Sequence, residues 1–129
     1  MAQTILLIED DPLSARLADL VLGSEGYQVI VAQNGIQGLK VARETPPDLV
    51  LLDWEFPRPG REHLMPRLRA ACPSLKVIAL SGRPEARQAA LEAGADAFVS
   101  KGDAPEMLLA AIEQCKLNSS TAGRRAEER

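Results

Sequence analysis

Glu9, Asp10, Asp53, Ser81 and Lys101 are the residues of this 129-residue chain whose types and spacing could do chemistry. Each closes or follows an apolar run: TILLI before Glu9, LVLL before Asp53, KVIAL before Ser81, AFVS before Lys101. Carboxylates brought close together repel one another and need a cation. An oxygen-only donor set with no His or Cys nearby favours Mg2+ over zinc or copper. Mg2+ typically takes one or two carboxylates, keeps several waters and shares its shell with a phosphate. A carboxylate held beside Mg2+ and a lysine is suited to act as a nucleophile in phosphoryl transfer, giving an acyl phosphate. Lys101 would counter the phosphoryl charge, and the Ser81 hydroxyl would donate to a phosphoryl oxygen.

Singly, most of these residues have plainer readings. Asp11, next to Glu9-Asp10, is a helix cap before Pro12 rather than a ligand. Ser81 alone is a turn residue before Gly82 and Pro84. Lys101 alone is a solvated strand end, Phe98 a core aromatic, the Glu55 side chain simply exposed, and His63 a surface residue without a role. Asp53 resists such a reading, because burying a carboxylate at the end of LVLL is costly without a partner.

The elements that must position these residues alternate along the chain. Apolar runs predict strands over 4–8, 27–32, 48–53, 76–81 and 96–100. Asp11-Pro12 opens a helix with a stripe of Leu13, Leu17, Leu20 and Val21, and Gly26 stops it. Asn34 caps a helix carrying Ile36, Leu39 and Ala42 that ends at Pro46-Pro47. A third helix holds Leu64, Leu68 and Ala71, with Pro66 in its first turn or bending it. Residues 84–93 form an alanine-rich helix closed by Gly94. Asp103 and Glu106 make an acidic cap before Leu108, Leu109, Ile112 and Cys115.

Strands apolar throughout, alternating with helices, predict an α/β domain whose parallel sheet is covered on both faces. All strand C-termini of such a sheet lie on one edge, where ligands bind, so the reactive residues converge on one rim. The domain spans 1–117, and 118–129 form a tail, disordered or extending the last helix.

Composition narrows the function classes. Hydrophobic residues make up 46% and charged residues 26%, as in ordinary globular proteins. No run approaches the ~18 apolar residues of a membrane span, and the N-terminus turns acidic too early for a signal peptide. A net charge of -3 with both signs scattered, and 3% aromatics, argue against a nucleic-acid surface. Cys72 and Cys115 read as buried thiols in a cytoplasmic protein.

The motifs ILLIEDD (5–11), LLDWEFP (51–57), IALSG (78–82) and FVSK (98–101) resemble the response regulator receiver domain of two-component signalling, in that family's order and spacing. The resemblance implies a flavodoxin-like (βα)5 fold with strand order 2-1-3-4-5. It implies that Asp53 is the phosphoacceptor and that Glu9 and Asp10 form the acidic pocket. The backbone carbonyl of Glu55 would join the Mg2+ shell, Ser81 would be the hydroxyl switch, Phe98 the switch aromatic and Lys101 the family's lysine. The phosphoryl donor would be a phosphohistidine on a histidine kinase or phosphotransfer protein. Transfer would be self-catalysed and autodephosphorylation slow, without enzyme turnover.

The chain length leaves no room for an output domain, so a stand-alone receiver is expected. It would act on a downstream protein through residues 84–93 and 96–116, as a monomer or a phosphorylation-dependent dimer. Three departures stand out: Gly102 replaces the proline usual after the lysine, Phe98 replaces the commoner tyrosine, and the loop after Asp53 reaches Gly60 about one residue early. Two further readings are a pseudo-receiver that is never phosphorylated and a Mg2+-dependent small-molecule phosphohydrolase. The second is disfavoured because Asp53 follows the third strand rather than the first.

Overall fold

A computed structural model describes residues 3–55 and 60–128, with side chains described for 3–55 and 63–116. The loop expected to be about one residue short, FPRP (56–59) with Arg58, falls outside the described residues. Five strands, β1 (Thr4–Ile8), β2 (Gln28–Ala32), β3 (Leu49–Asp53), β4 (Lys76–Ser81) and β5 (Ala97–Ser100), form one sheet in the order β2-β1-β3-β4-β5. All four pairings are parallel. The helices are α1 (Pro12–Ser24), α2 (Gly35–Glu44), α3 (Gly60–Ala71), α4 (Arg87–Glu92) and α5 (Pro105–Glu128). The architecture is the flavodoxin-like (βα)5 fold.

The two faces of the sheet carry separate cores. Leu6, Ile8, Val50, Leu52, Val77 and Ala79 pack on one side with Leu39, Ala42, Leu64, Leu68 and Ala90 from α2, α3 and α4. Ile5, Leu7, Leu49, Leu51, Ile78 and Leu80 pack on the other with Ala15, Leu22, Ile112 and Cys115 from α1 and α5. Alternate residues of the same strands supply the two cores, which is why these strands read as unbroken apolar runs. Every residue of β3 is buried.

Local signals place the helix ends. The Asp11 carboxylate accepts from Ser14 N at 2.9 Å, and Asn34 Oδ1 accepts from Gln37 N at 2.8 Å, each satisfying a free donor of the first turn. Gly26 and Gly94 adopt φ of 90° and 109°, the left-handed region that glycine enters without a Cβ penalty. Arg69 ties the lower end of the fold together, donating to Leu75 O (2.8 Å), Gly94 O (2.6 Å) and Asp96 Oδ2 (3.0 Å).

Some expectations are corrected and others met. Leu13, Leu17 and Leu20 are 65%, 56% and 60% exposed, so the leucine stripe of α1 faces solvent. Ala15 and Leu22 face the sheet instead, the alanine letting the helix approach closely. Ile36 likewise points outward, while Leu39 and Ala42 of α2 are buried. Pro66 lies inside α3 rather than in its first turn. The segment before Gly94 divides into a 3-10 turn, Pro84–Ala86, and the short α4. Residues 118–128 continue α5 as helix. His63 is exposed, and Cys72 and Cys115 are free and buried.

Candidate functional site

The sheet register delivers the reactive residues to one rim. Ile8 pairs with Leu52, Asp53 with Leu80 and Ser81 with Ser100. Backbone bonds just past the strand ends then fix the next residues. Glu9 N donates to Ala32 O (2.9 Å), Trp54 N to Leu80 O (2.7 Å) and Lys101 N to Ser81 O (2.8 Å). Loop residues at the rim thereby inherit the rigidity of the sheet.

Carboxylate oxygens of Glu9, Asp10 and Asp53 all lie within 4.8 Å of one another. Glu9 and Asp53 are buried, 3% and 2% exposed, whereas Asp10 is open to solvent. Lys101 Nζ reaches across to both buried acids, 2.8 Å from Glu9 Oε1 and 3.2 Å from Asp53 Oδ1. Burial pushes the Glu9 carboxyl up from 4.5 to about 7, helped by its hydrogen bond and charge repulsion with Asp53 and opposed by Lys101. The two acids raise the Lys101 pKa despite the desolvation of its ammonium, so the lysine stays charged. Among the described residues, one ammonium among three acids leaves an excess of negative charge in an oxygen-only cluster, the donor chemistry suited to a hard divalent cation.

Lys101 lies in a turn, with Gly102 at the position of the family's usual proline, that Asp103 closes by bonding back to Ser100. Asp103 N donates to Ser100 O at 3.0 Å, and Ser100 N donates to Asp103 Oδ2 at 3.3 Å. Asp103 thus bonds back to β5 rather than capping α5, whose first residue is Pro105.

The Glu55 side chain is exposed as expected but does more than face solvent. Although the residue is exposed, its Oε1 accepts from Ser81 Oγ (3.1 Å) and Gly82 N (2.6 Å), while Glu55 N donates to Asp53 Oδ1 (3.0 Å). Glu55 touches both the buried aspartate and the β4–α4 loop. The Ser81-Gly82 pair was a hint in the sequence, a hydroxyl followed by a residue with no side chain to block a carboxylate. Phe98 is half-buried against the core beneath α2, α3 and α4. The structure therefore brings Glu9, Asp10, Asp53 and Lys101 together, and joins Ser81 to Glu55.

Comparison with known proteins bears on this arrangement. The family model described as "Response regulator receiver domain" matches residues 5–113. The chain is 35% identical over 114 residues to the DNA-binding response regulator MtrA of Mycolicibacterium smegmatis, covering 87% of this chain and 50% of that one. It spans about half the length of the curated relatives it matches. Among solved structures, a CheY-like receiver domain protein from Methanospirillum hungatei superposes with a TM-score of 0.83 at 27% identity, covering 95% of this chain and 99% of that one. The response regulator TrrA of Thermotoga maritima, in complex with Mg2+-BeF, superposes with a TM-score of 0.79 at 27% identity, covering 88% and 98% respectively. The chain belongs to the response regulator receiver domain family.

Proposed function

We propose that the protein takes a phosphoryl group onto Asp53 from a phosphohistidine of a histidine kinase or phosphotransfer protein, and so switches a protein-binding surface. One observation carries this reading: the Lys101 ammonium lies 3.2 Å from a buried Asp53 within a cluster of three converging carboxylates. An oxygen of Asp53 forms the new bond to phosphorus as the bond to the donor imidazole nitrogen breaks, and that nitrogen leaves with the electron pair. Lys101 stabilises the charge on the transferred group. Glu9, Asp10, Asp53 and the Glu55 carbonyl would hold Mg2+. Bound there, the ion would neutralise the excess carboxylate charge and polarise the phosphoryl oxygens. The likeness to TrrA, whose structure carries Mg2+-BeF, supports this assignment.

After transfer, Ser81 donates to the phosphoryl group, Phe98 packs inward, and α4, β5 and α5 present the altered surface. Residues 1–117 form the receiver and 118–129 its C-terminal tail, of which 118–128 continue α5. The domain works by self-catalysed transfer and slow autodephosphorylation rather than by enzyme turnover. Among the described residues no helix is long and apolar enough to cross a membrane, in keeping with action in the cytoplasm. A net charge of -3 favours protein partners over direct contact with nucleic acid.

The test is incubation with Mg2+ and acetyl phosphate followed by intact-mass measurement. A single phosphoryl increment, absent in Asp53→Asn, is expected. A wild-type protein that gains no mass would instead be an unphosphorylated interaction module.

A further inference from the structure

The Glu55 carboxylate occupies the hydrogen-bonding capacity that Ser81 needs for the role proposed above. A serine hydroxyl carries one proton, and an ionised carboxylate only accepts. At 3.1 Å the Ser81 proton therefore points to Glu55 Oε1, and the hydroxyl oxygen accepts from Arg83 N at 3.0 Å. The same Oε1 accepts from Gly82 N at 2.6 Å, so the carboxylate grips the loop at two successive residues. A Cβ on residue 82 would lie 3.2 Å from that oxygen, so glycine leaves the approach open. The backbone N–H of Glu55 meanwhile donates to Asp53 Oδ1 at 3.0 Å. One residue thus bonds the phosphoacceptor through its backbone and the switch hydroxyl through its side chain.

We propose that Glu55 is a latch, a positioning residue that holds Ser81 and the β4–α4 loop in the unphosphorylated arrangement and must release them before Ser81 can bond a phosphoryl oxygen. The inference rests on the phosphoacceptor reading of Asp53 and assigns the Glu55 side chain a part in it. Release exchanges a charge-assisted bond to Glu55 for a charge-assisted bond to the phosphoryl group. The strength of the latch therefore sets how readily the loop switches, and a weaker acceptor at position 55 shifts the population toward the switched form.

The test titrates Mg2+ and beryllofluoride into wild type, Glu55→Ala, Glu55→Gln, Ser81→Ala and the double variant Glu55→Ala/Ser81→Ala. Affinity is read from Trp54 fluorescence and the loop from the Gly82 amide resonance. The wild-type Gly82 proton is expected downfield, moving upfield as beryllofluoride binds. Glu55→Ala should show the upfield position without ligand and bind roughly tenfold tighter, the scale of one hydrogen bond to a charged group. Glu55→Gln, which keeps a neutral acceptor oxygen, should fall between. In the Ser81→Ala background, removing Glu55 should change affinity by less than about threefold, since coupled residues are not additive. An equal gain in both backgrounds would overturn the latch, because charge repulsion by Glu55 would then explain it. A Gly82 amide that stays put on binding overturns it too. If wild type binds no beryllofluoride, the phosphoacceptor reading fails and the gating role falls with it. A Gly82 shift in ligand-free Glu55→Ala would in that case still register the contact.

Discussion

Glu9 Oε1 accepts a hydrogen bond from Lys101 Nζ at 2.8 Å, joining residues 92 positions apart along the chain. Nothing local to either residue requires the other. The pair forms because β1 and β5 run in the same direction on either side of β3 and β4, so their ends meet over Asp53.

Replacing Lys101 by alanine removes the one cation that lies beside the buried acids among the described residues. The Glu9 carboxyl should then titrate above about 7, since the interaction opposing its rise is gone. Phosphorylation by acetyl phosphate should slow by about a hundredfold, the usual effect of removing a charge-stabilising donor. Carboxyl carbon resonances would follow the first effect and intact-mass time courses the second. An unaltered rate would remove Lys101 from the transfer step.

Stability should fall as pH rises through the titration of Glu9. Its folded pKa, about 7, lies above the ordinary 4.5, so between those values the folded state binds more protons than the unfolded state. The stabilisation is complete below about 4.5 and is lost as pH rises through about 7. Urea midpoints measured in EDTA at pH 5 and pH 8 should therefore differ more in wild type than in Glu9→Gln. Adding Mg2+ at pH 8 should recover part of the loss, because a cation favours the ionised acid.

Asp103→Ala should loosen the Lys101 turn by deleting the acceptor for Ser100 N. The expected result is a several-fold slower acetyl phosphate reaction with little change in the urea midpoint, since Asp103 is exposed. Asp103→Asn, which keeps a side-chain oxygen at that place, should restore most of the rate. Equal rates in Asp103→Ala and wild type would mean that the sheet alone positions the lysine.

Gly38→Ala should destabilise the fold by about 1–3 kcal/mol, as overpacked cores do. An added Cβ would lie 2.6 Å from Cδ1 and 3.0 Å from Cγ1 of Ile8, a fully buried residue that immediately precedes Glu9. Removing Cδ1 with Ile8→Val in the same chain should recover part of the lost stability in urea titrations. An additive double variant would locate the strain elsewhere.

Much of this protein was legible in its sequence because the signals are local. Runs such as TILLI and LVLLD mark strands buried on both faces. Asp11, Asn34, Gly26 and Gly94 place helix ends through capping and backbone freedom. The family motifs carried the expected strand order and the choice of Asp53. Helix faces were less legible. Leucines at helical spacing in α1 suggested a core stripe, yet the sheet beneath is filled by its own large side chains and accepts Ala15 and Leu22 instead.

The sequence by itself determined which residues carry charge and hydroxyls and that each closes or follows a strand, because strand ends and caps are short-range matters. Only the tertiary structure decided which of them touch. Lys101 meets Glu9 and Asp53 through the parallel register, and the Glu55 carboxylate reaches Ser81 and Gly82. These are contacts between chain segments brought together by packing. Side-chain reach across a rim depends on the register and twist of the whole sheet, which no stretch of a dozen residues encodes.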